Sequence, residues 1–277
     1  RQKFIREVSD MLKDITIGQY FPGNSVVHRL DPRFKIIITA VFITMLFCAD
    51  NFLGLAVGAA FPLIAFMISD IPLKLMMKSL KPIIPIILFT TVLNLFFLDG
   101  VTFFKLGPVK ITYEGLETSA FMIIRIIALI MGSSLLTYTT SPITLTDAIE
   151  RLLSPLRKIK LPVHELAMMM TIALRFIPTL IEETDKIMSA QKARGADMES
   201  GGLIQRAKAL TPILIPLFVS AFRRAEELAL AMECRCYHGG DGRTRLKQLK
   251  SAPADYNALA VSFIFLDGVI LLNIIFG

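Results

Sequence analysis

Residues 34–69 read FKIIITAVFITMLFCADNFLGLAVGAAFPLIAFMIS. A helix that crosses a bilayer needs about 20 mostly apolar residues, with a range of roughly 17–25. The run is too long for one crossing, and Asp50-Asn51 interrupts it. It therefore reads as two helices, Phe34–Ala49 and Phe52–Ser69, joined by a tight polar turn. The first is short and must tilt little or sit where the bilayer thins. Outward along the chain, Pro82–Leu98, Ser119–Tyr138 and Tyr256–Phe276 are three further apolar stretches of spanning length.

The whole chain agrees with that reading. Its 277 residues are 54% hydrophobic and only 19% charged, with a mean hydropathy of +0.61. A soluble domain carries about 25% charged residues. The balance excludes a disordered, nucleic-acid-binding or secreted disulfide-rich chain. Cys48, Cys234 and Cys236 are too few for a disulfide framework and argue for a reducing compartment. The first 35 residues are polar and charged, without the apolar core of a signal peptide.

The charge excess follows topology. Lys+Arg number 30 against 23 Asp+Glu, giving +7. Arg29, Arg33 and Lys35 flank the first span, and Lys74, Lys78 and Lys81 precede the third. The segment from about 140 to 255 holds 17 Lys+Arg, whereas the Asp50-Asn51 turn has none. Basic loops stay in the cytoplasm, so the N-terminus, the second connection and the long segment are expected there. The third connection, Asp99–Thr112, has Gly100, Gly107 and Pro108 among β-prone residues and is expected to form a small external hairpin.

Within the spans, Gly54 and Gly58 form a small-xxx-small pattern suited to close helix packing. Arg125 and Asp267 are the informative charges, because charge at membrane depth is costly and usually paired. At about 1.5 Å per residue, Asp267 lies roughly 17 Å from the cytoplasmic end of its span and Arg125 roughly 10 Å from the external end of its own. In a core about 30 Å thick those depths nearly match. Two readings fit: a mutual pair, or Arg125 reaching outward while Asp267 faces another polar group.

Residues 140–255 read as long helices punctuated by proline and glycine. Ser141-Pro142 and Thr144 open a short amphipathic helix that Ser154-Pro155 ends. Pro162 opens a helix to about Arg194, apolar in its first half (Leu166-Ala167-Met168-Met169-Met170) and charged in its second, with Gly195 as a stop. Thr211-Pro212 leads a third stretch on the same plan, ending at Cys234-Arg235-Cys236 and Gly239-Gly240. An offset of 41 residues superimposes Ala190 on Ala231 and Arg194 on Arg235. Two similar helix tips suit two similar partners or one dimeric partner. A lone arginine in a last turn also simply complements the helix dipole.

No G-x-x-x-x-G-K-[ST] loop is present to cradle nucleotide phosphates. His28, His164 and His238 are dispersed, no H-E-x-x-H occurs, and Cys234, Cys236 and His238 cannot converge on a metal from one helical face. Neither a catalytic constellation nor a metal site is expected.

Gly18-Gln19-Tyr20-Phe21-Pro22-Gly23-Asn24-Ser25 and His28-Arg29-Leu30-Asp31-Pro32-Arg33 resemble the opening of the transmembrane T component of energy-coupling factor (ECF) transporters, the CbiQ-like family. The likeness continues in Ala173-Leu174-Arg175-Phe176-Ile177-Pro178, in Ala190-Gln191-Lys192-Ala193-Arg194-Gly195-Ala196-Asp197, in Arg224-Ala225-Glu226-Glu227-Leu228-Ala229 and in Ala231-Met232-Glu233-Cys234-Arg235-Cys236-Tyr237. It covers essentially residues 14–277. Met11-Leu12-Lys13-Asp14-Ile15-Thr16 resembles a family start, which leaves residues 1–10 as an extension.

The resemblance implies an all-α polytopic membrane protein with about five transmembrane helices and a cytoplasmic domain of long coupling helices. Its parts would be an N-terminal segment (1–33), helices 1–4 (34–139), the coupling domain (140–255) and a last span (256–277). It implies that Ala193-Arg194-Gly195 and Cys234-Arg235-Cys236 dock on two ABC ATPases, which bind the ATP and magnesium, so this chain needs no cofactor. The second motif departs from the usual Ala-Arg-Gly by having cysteine on both sides. A small membrane S subunit would bind the vitamin or metal and rest against this chain. Met168, Met169, Met170, Leu214, Leu217 and Phe218 are candidates for that contact, with core packing as the competing account. The lipid bilayer is the remaining partner, no nucleic acid is expected, and the setting would be a bacterial plasma membrane. A conventional ABC importer permease, itself lining the substrate path, is the alternative.

Overall fold

The computed structural model describes residues 20–97, 102–106, 109–159, 162–196, 203–239 and 249–276. The expected family start at Met11, Gly18-Gln19, the turn residues Gly107-Pro108, and Asp197 and Gly240 lie outside the described residues. Clustering of contacts divides the chain into two compact units, one within 19–148 and 249–277, the other within 149–248.

The first unit is built on apolar helices. A single turn, α1 (Val26–Arg29), leads into α2 (Pro32–Cys48) and α3 (Phe52–Ile68). Asp31 caps α2 by accepting from the Arg33 amide, and Pro32 stands at the first helical position, where its missing N–H costs nothing. Asn51 is the N-cap of α3, so the polar turn at Asp50-Asn51 does separate the two helices. Each is 17 residues long.

The third apolar stretch starts earlier than Pro82. An amphipathic helix α4 (Leu73–Leu80) runs through a 3-10 turn at Lys81–Ile83 into α5 (Ile84–Phe97). Lys74, Lys78 and Lys81 therefore belong to helical turns rather than to a loop. The combined Leu73–Phe96 stretch has the length and composition of a span. Antiparallel strands β1 (Thr102–Leu106) and β2 (Val109–Thr112) form the expected hairpin, with Lys105 opposite Lys110. Then come α6 (Tyr113–Thr139), opened by the Thr112 hydroxyl accepting from the Gly115 amide, and, at the end of the chain, α10 (Pro253–Phe276).

Helix α2 packs against α10, α6 and α3. Phe42, Met45, Leu46, Ala49, Leu55, Ala128 and Val269 form the buried core. Three glycines make this approach possible. A Cβ on Gly132 would fall 2.2 Å from Cε1 of Phe42, and one on Gly58 would fall 2.9 Å from Cδ2 of Leu46. Gly54, the other half of the small-xxx-small pair, faces Asn273 and Val269 of α10. Phe42 stacks on Phe61, which meets Phe265 edge-on.

Helix α7 (Pro142–Leu153) contains the boundary between the units, and the second unit continues with a 3-10 turn, Ser154–Ile159, then α8 (Val163–Ala193) and α9 (Leu203–Cys234). Helix α9 begins at Leu203, eight residues before the Thr211-Pro212 start expected from sequence, and holds Pro212 and Pro216 inside it. Its first turns, through Arg206 and Lys208, are too polar to register as part of an apolar helix. Among the described residues four helices are long and apolar enough to cross a membrane: Leu73–Phe96, Tyr113–Thr139, Val163–Ala193 and Pro253–Phe276. Phe52–Ile68 is a shorter apolar helix. The apolar half of α8 brings it onto that scale, although its other half carries Glu182-Glu183-Thr184-Asp185-Lys186.

Candidate functional site

The two arms end in the same way, bond for bond. At the end of α8, Arg194 is the C-cap residue and Gly195 turns left-handed at φ +84°. The Gly195 amide donates to the Lys192 carbonyl and the Ala196 amide to the Gln191 carbonyl, each at 3.0 Å. At the end of α9, Cys236 takes the left-handed position at φ +54°. Its amide donates to the Glu233 carbonyl at 2.8 Å, and the Tyr237 amide to the Met232 carbonyl at 3.0 Å. Each donor and acceptor of the first tip recurs 41 residues later. This is the Schellman closure, which satisfies the last carbonyls and turns the chain sharply away. Arg194 and Arg235 are left exposed at the two apices.

The tips differ in one respect. Glycine adopts the left-handed conformation without cost, whereas a residue with a Cβ is strained there by about 1–2 kcal/mol. The first tip has Gly195 at that place and the second has Cys236. Cys234 and Cys236 are both free and exposed. Among the described residues no group of three or more His, Cys, Asp or Glu side chains is placed to hold a metal ion.

Helices α8 and α9 pack on each other. Glu183 accepts from Arg224 Nη2 at 3.1 Å and from the Ser220 hydroxyl. Eight residues further along α8, the Gln191 side-chain amide donates to the Pro212 carbonyl at 3.2 Å. Advancing along α8 means retreating along α9, so the pair is antiparallel. The second bond has a covalent origin. Pro216 has no N–H to give the carbonyl four residues back, so Pro212 keeps a free acceptor for Gln191. Each tip lies eleven residues past the Glu183–Arg224 bridge, in opposite directions. At about 1.5 Å rise per residue that places the arginines roughly 30 Å apart along the pair.

The candidate contact residues of the arms lie on their surface. Met169, Met170, Leu214 and Phe218 are exposed, Phe218 at 60%, while Met168 and Leu217 are half-buried. Ile215, Val219 and Phe222 enlarge the exposed apolar face of α9. Core packing accounts instead for Val163, Ala167 and Ile213, which are buried.

Arg125 and Asp267 are not brought together. Arg125 donates from Nη2 to the carbonyl of Ala49, the C-cap of α2, and its guanidinium lies 4.7 Å from the centroid of the Phe121 ring. A helix C-terminus offers unpaired carbonyls and negative dipole, so it serves as a counter-charge without a carboxylate. Asp267 is exposed.

A buried polar junction in the first unit escaped the sequence reading. Asp255, 1% exposed, accepts from the Asp31 amide at 2.7 Å and the Ala252 amide at 2.6 Å. Asp31 holds Arg33 through both carboxylate oxygens, which keeps that guanidinium even more firmly charged than usual. The Lys35 ammonium is buried and donates to the Thr139 carbonyl at 2.9 Å and the His28 carbonyl at 3.3 Å. His28 Nε2 in turn bonds the Phe21 carbonyl. The starts of α2 and α10 and the end of α6 are thereby joined. The one signal in the sequence was Asp at the N-cap before Pro32, and Asp255 two residues after Pro253.

An apolar cavity of about 430 Å³ lies in this unit, lined by Ile38, Phe42, Phe61, Leu135, Val261 and Phe265 among others. Its polar lining is limited to Lys35, Thr39, Thr139 and Asn257, and neither Arg125 nor Asp267 reaches it. Such walls do not offer the convergent polar groups that a hydrophilic solute requires.

Apolar helices of spanning length define a membrane protein, and its arms end in two matched arginine tips. The family model described as CbiQ, cobalt transport protein, matches residues 23–246. Relatives named energy-coupling factor transporter transmembrane protein EcfT are similar over nearly the full length. That of Thermosediminibacter oceani is 57% identical over 260 residues, covering 94% of this chain and 98% of the relative. That of Clostridium kluyveri is 55% identical over 269 residues, covering 96% and 100%, and that of Bacillus subtilis 49% over 261, covering 94% and 98%. The chain belongs to the CbiQ family, as an EcfT transmembrane coupling component of an energy-coupling factor transporter.

Proposed function

We propose that Ala193-Arg194-Gly195 and Cys234-Arg235-Cys236 are the docking points for two ABC ATPase subunits, which bind ATP and magnesium and carry out hydrolysis. The observation that carries this reading is the identity of the two tips, which present the same residue at the same place in the same backbone closure. Two matched anchors about 30 Å apart along an antiparallel pair suit two copies of one kind of partner surface. Arginine serves there because its planar guanidinium offers several fixed donors to carboxylates or carbonyls. In this reading residues 140–255 and the N-terminal segment lie in the cytoplasm, and the setting is a bacterial plasma membrane.

The apolar surface of Met168, Met169, Met170, Leu214, Leu217 and Phe218 is the proposed seat of a small membrane S subunit that carries the vitamin or related micronutrient. Exposed apolar area of this extent marks an interaction face, and methionine adapts to partners of different shape. The apolar walls of the cavity weigh against a substrate path through this chain itself. Arg194→Ala with Arg235→Ala is expected to abolish co-purification of the ATPases while the chain still accumulates in the membrane. ATPases retained at wild-type stoichiometry on the double variant overturn the docking role.

A further inference from the structure

We propose that the Glu183–Arg224 pair is the register pin of the two arms, setting where they cross and hence how far apart Arg194 and Arg235 stand. Its importance for transport rests on the docking reading above; its effect on geometry does not.

Glu183 and Arg224 are separated in sequence by the same 41 residues that relate the two tips. They are therefore equivalent positions of the repeat. When two related elements touch at equivalent positions, that contact lies on the approximate two-fold axis between them. The bridge is thus the pivot of the antiparallel pair, with one tip eleven residues beyond it on each side. A slip of one helical turn at this point would carry each tip about 5 Å along its axis.

Three observations single out this pair from ordinary surface ion pairs, which contribute little. Both carboxylate oxygens of Glu183 are engaged from α9, one by the Ser220 hydroxyl and the other by Arg224 Nη2. The Arg224 Nε is withdrawn from solvent although the side chain as a whole is 39% exposed, so the guanidinium is partly covered at the crossing. A further polar link, Gln191 to the Pro212 carbonyl, fits the same antiparallel register. Apolar contact alone would tolerate sliding, because hydrophobic contact is non-directional. A bonded charge pair does not slide. Opposite charges at equivalent positions also make the repeat complementary only as α8 against α9, since a copy of either arm against itself would oppose like charges.

The test measures tip spacing in the full chain in lipid nanodiscs. Spin labels are carried on p-acetylphenylalanine at Ser189 and Leu230, both exposed and again 41 residues apart, which leaves Cys48, Cys234 and Cys236 untouched. Wild type is expected to give one narrow distance distribution. Glu183→Arg alone, or Arg224→Glu alone, should at least double its width, and the two together should restore it. In the unlabelled complex the single reversals should lower ATP hydrolysis at least fivefold with the ATPases still bound, and the swap should recover it to within twofold. An unchanged width in the single reversals, or a swap that stays as broad as they are, overturns the proposal. Should the reversals fail to accumulate, Glu183→Gln with Arg224→Gln removes both charges at nearly constant size, and an unbroadened distribution there overturns it equally. Failure of the docking reading would show separately, as ATPases captured by the Arg194/Arg235 double variant.

Discussion

The two units handle polar and apolar groups in opposite ways. The membrane-helix unit buries charge and satisfies it internally. Asp255 takes two amides, Asp31 takes Arg33, and Lys35 gives its protons to carbonyls of His28 and Thr139. The arm unit leaves Arg194, Arg235 and a wide apolar face of α9 exposed. In the first, Asp31, Lys35 and Asp255 already have partners whose loss would be costly. In the second, the surfaces proposed above for docking are the ones left exposed. Substitutions should accordingly affect stability in the one and association in the other.

The largest effect is expected at the buried junction. Asp255→Ala leaves the Asp31 and Ala252 amides without an acceptor and removes the carboxylate facing Lys35, at a cost of about 3–5 kcal/mol. Thermal unfolding in detergent should fall well below wild type; an unchanged midpoint breaks the comparison. Gly132→Leu comes next, because even a Cβ there meets the Phe42 ring. Overpacking of about 1–3 kcal/mol is expected, read as a lower midpoint and as loss of the α2–α6 contact. The smallest effect distinguishes the tips. Cys236→Gly relieves the left-handed strain and should slow hydrogen exchange of the Tyr237 amide by a factor corresponding to about 1 kcal/mol, whereas Gly195→Ala should speed exchange at Ala196 by a similar factor. Equal exchange in all four cases would show that the tips are not strained differently.

Much of this was legible in the chain itself. The break at Asp50-Asn51 marked the first two helices, and the offset of 41 residues announced paired tips before any backbone was seen. Both signals are local: hydropathy along a helix and a glycine or its equivalent after the last turn. The early start of α9 was hidden because its first turns are polar and two prolines follow. The fate of Arg125 was hidden because its acceptor is a backbone carbonyl, which every residue possesses and no side-chain pattern reveals.

The sequence by itself determined the membrane class, the absence of a nucleotide loop and the positions of Arg194 and Arg235. These follow from composition, periodicity and capping chemistry, each readable within a few residues. Only the tertiary structure decided that Asp255 meets the start of α2, that Gly132 makes room for Phe42, and that Glu183 meets Arg224 at the crossing of the arms. Those contacts join residues far apart in the chain, and their partners are chosen by how helices pack, which no short window of sequence specifies.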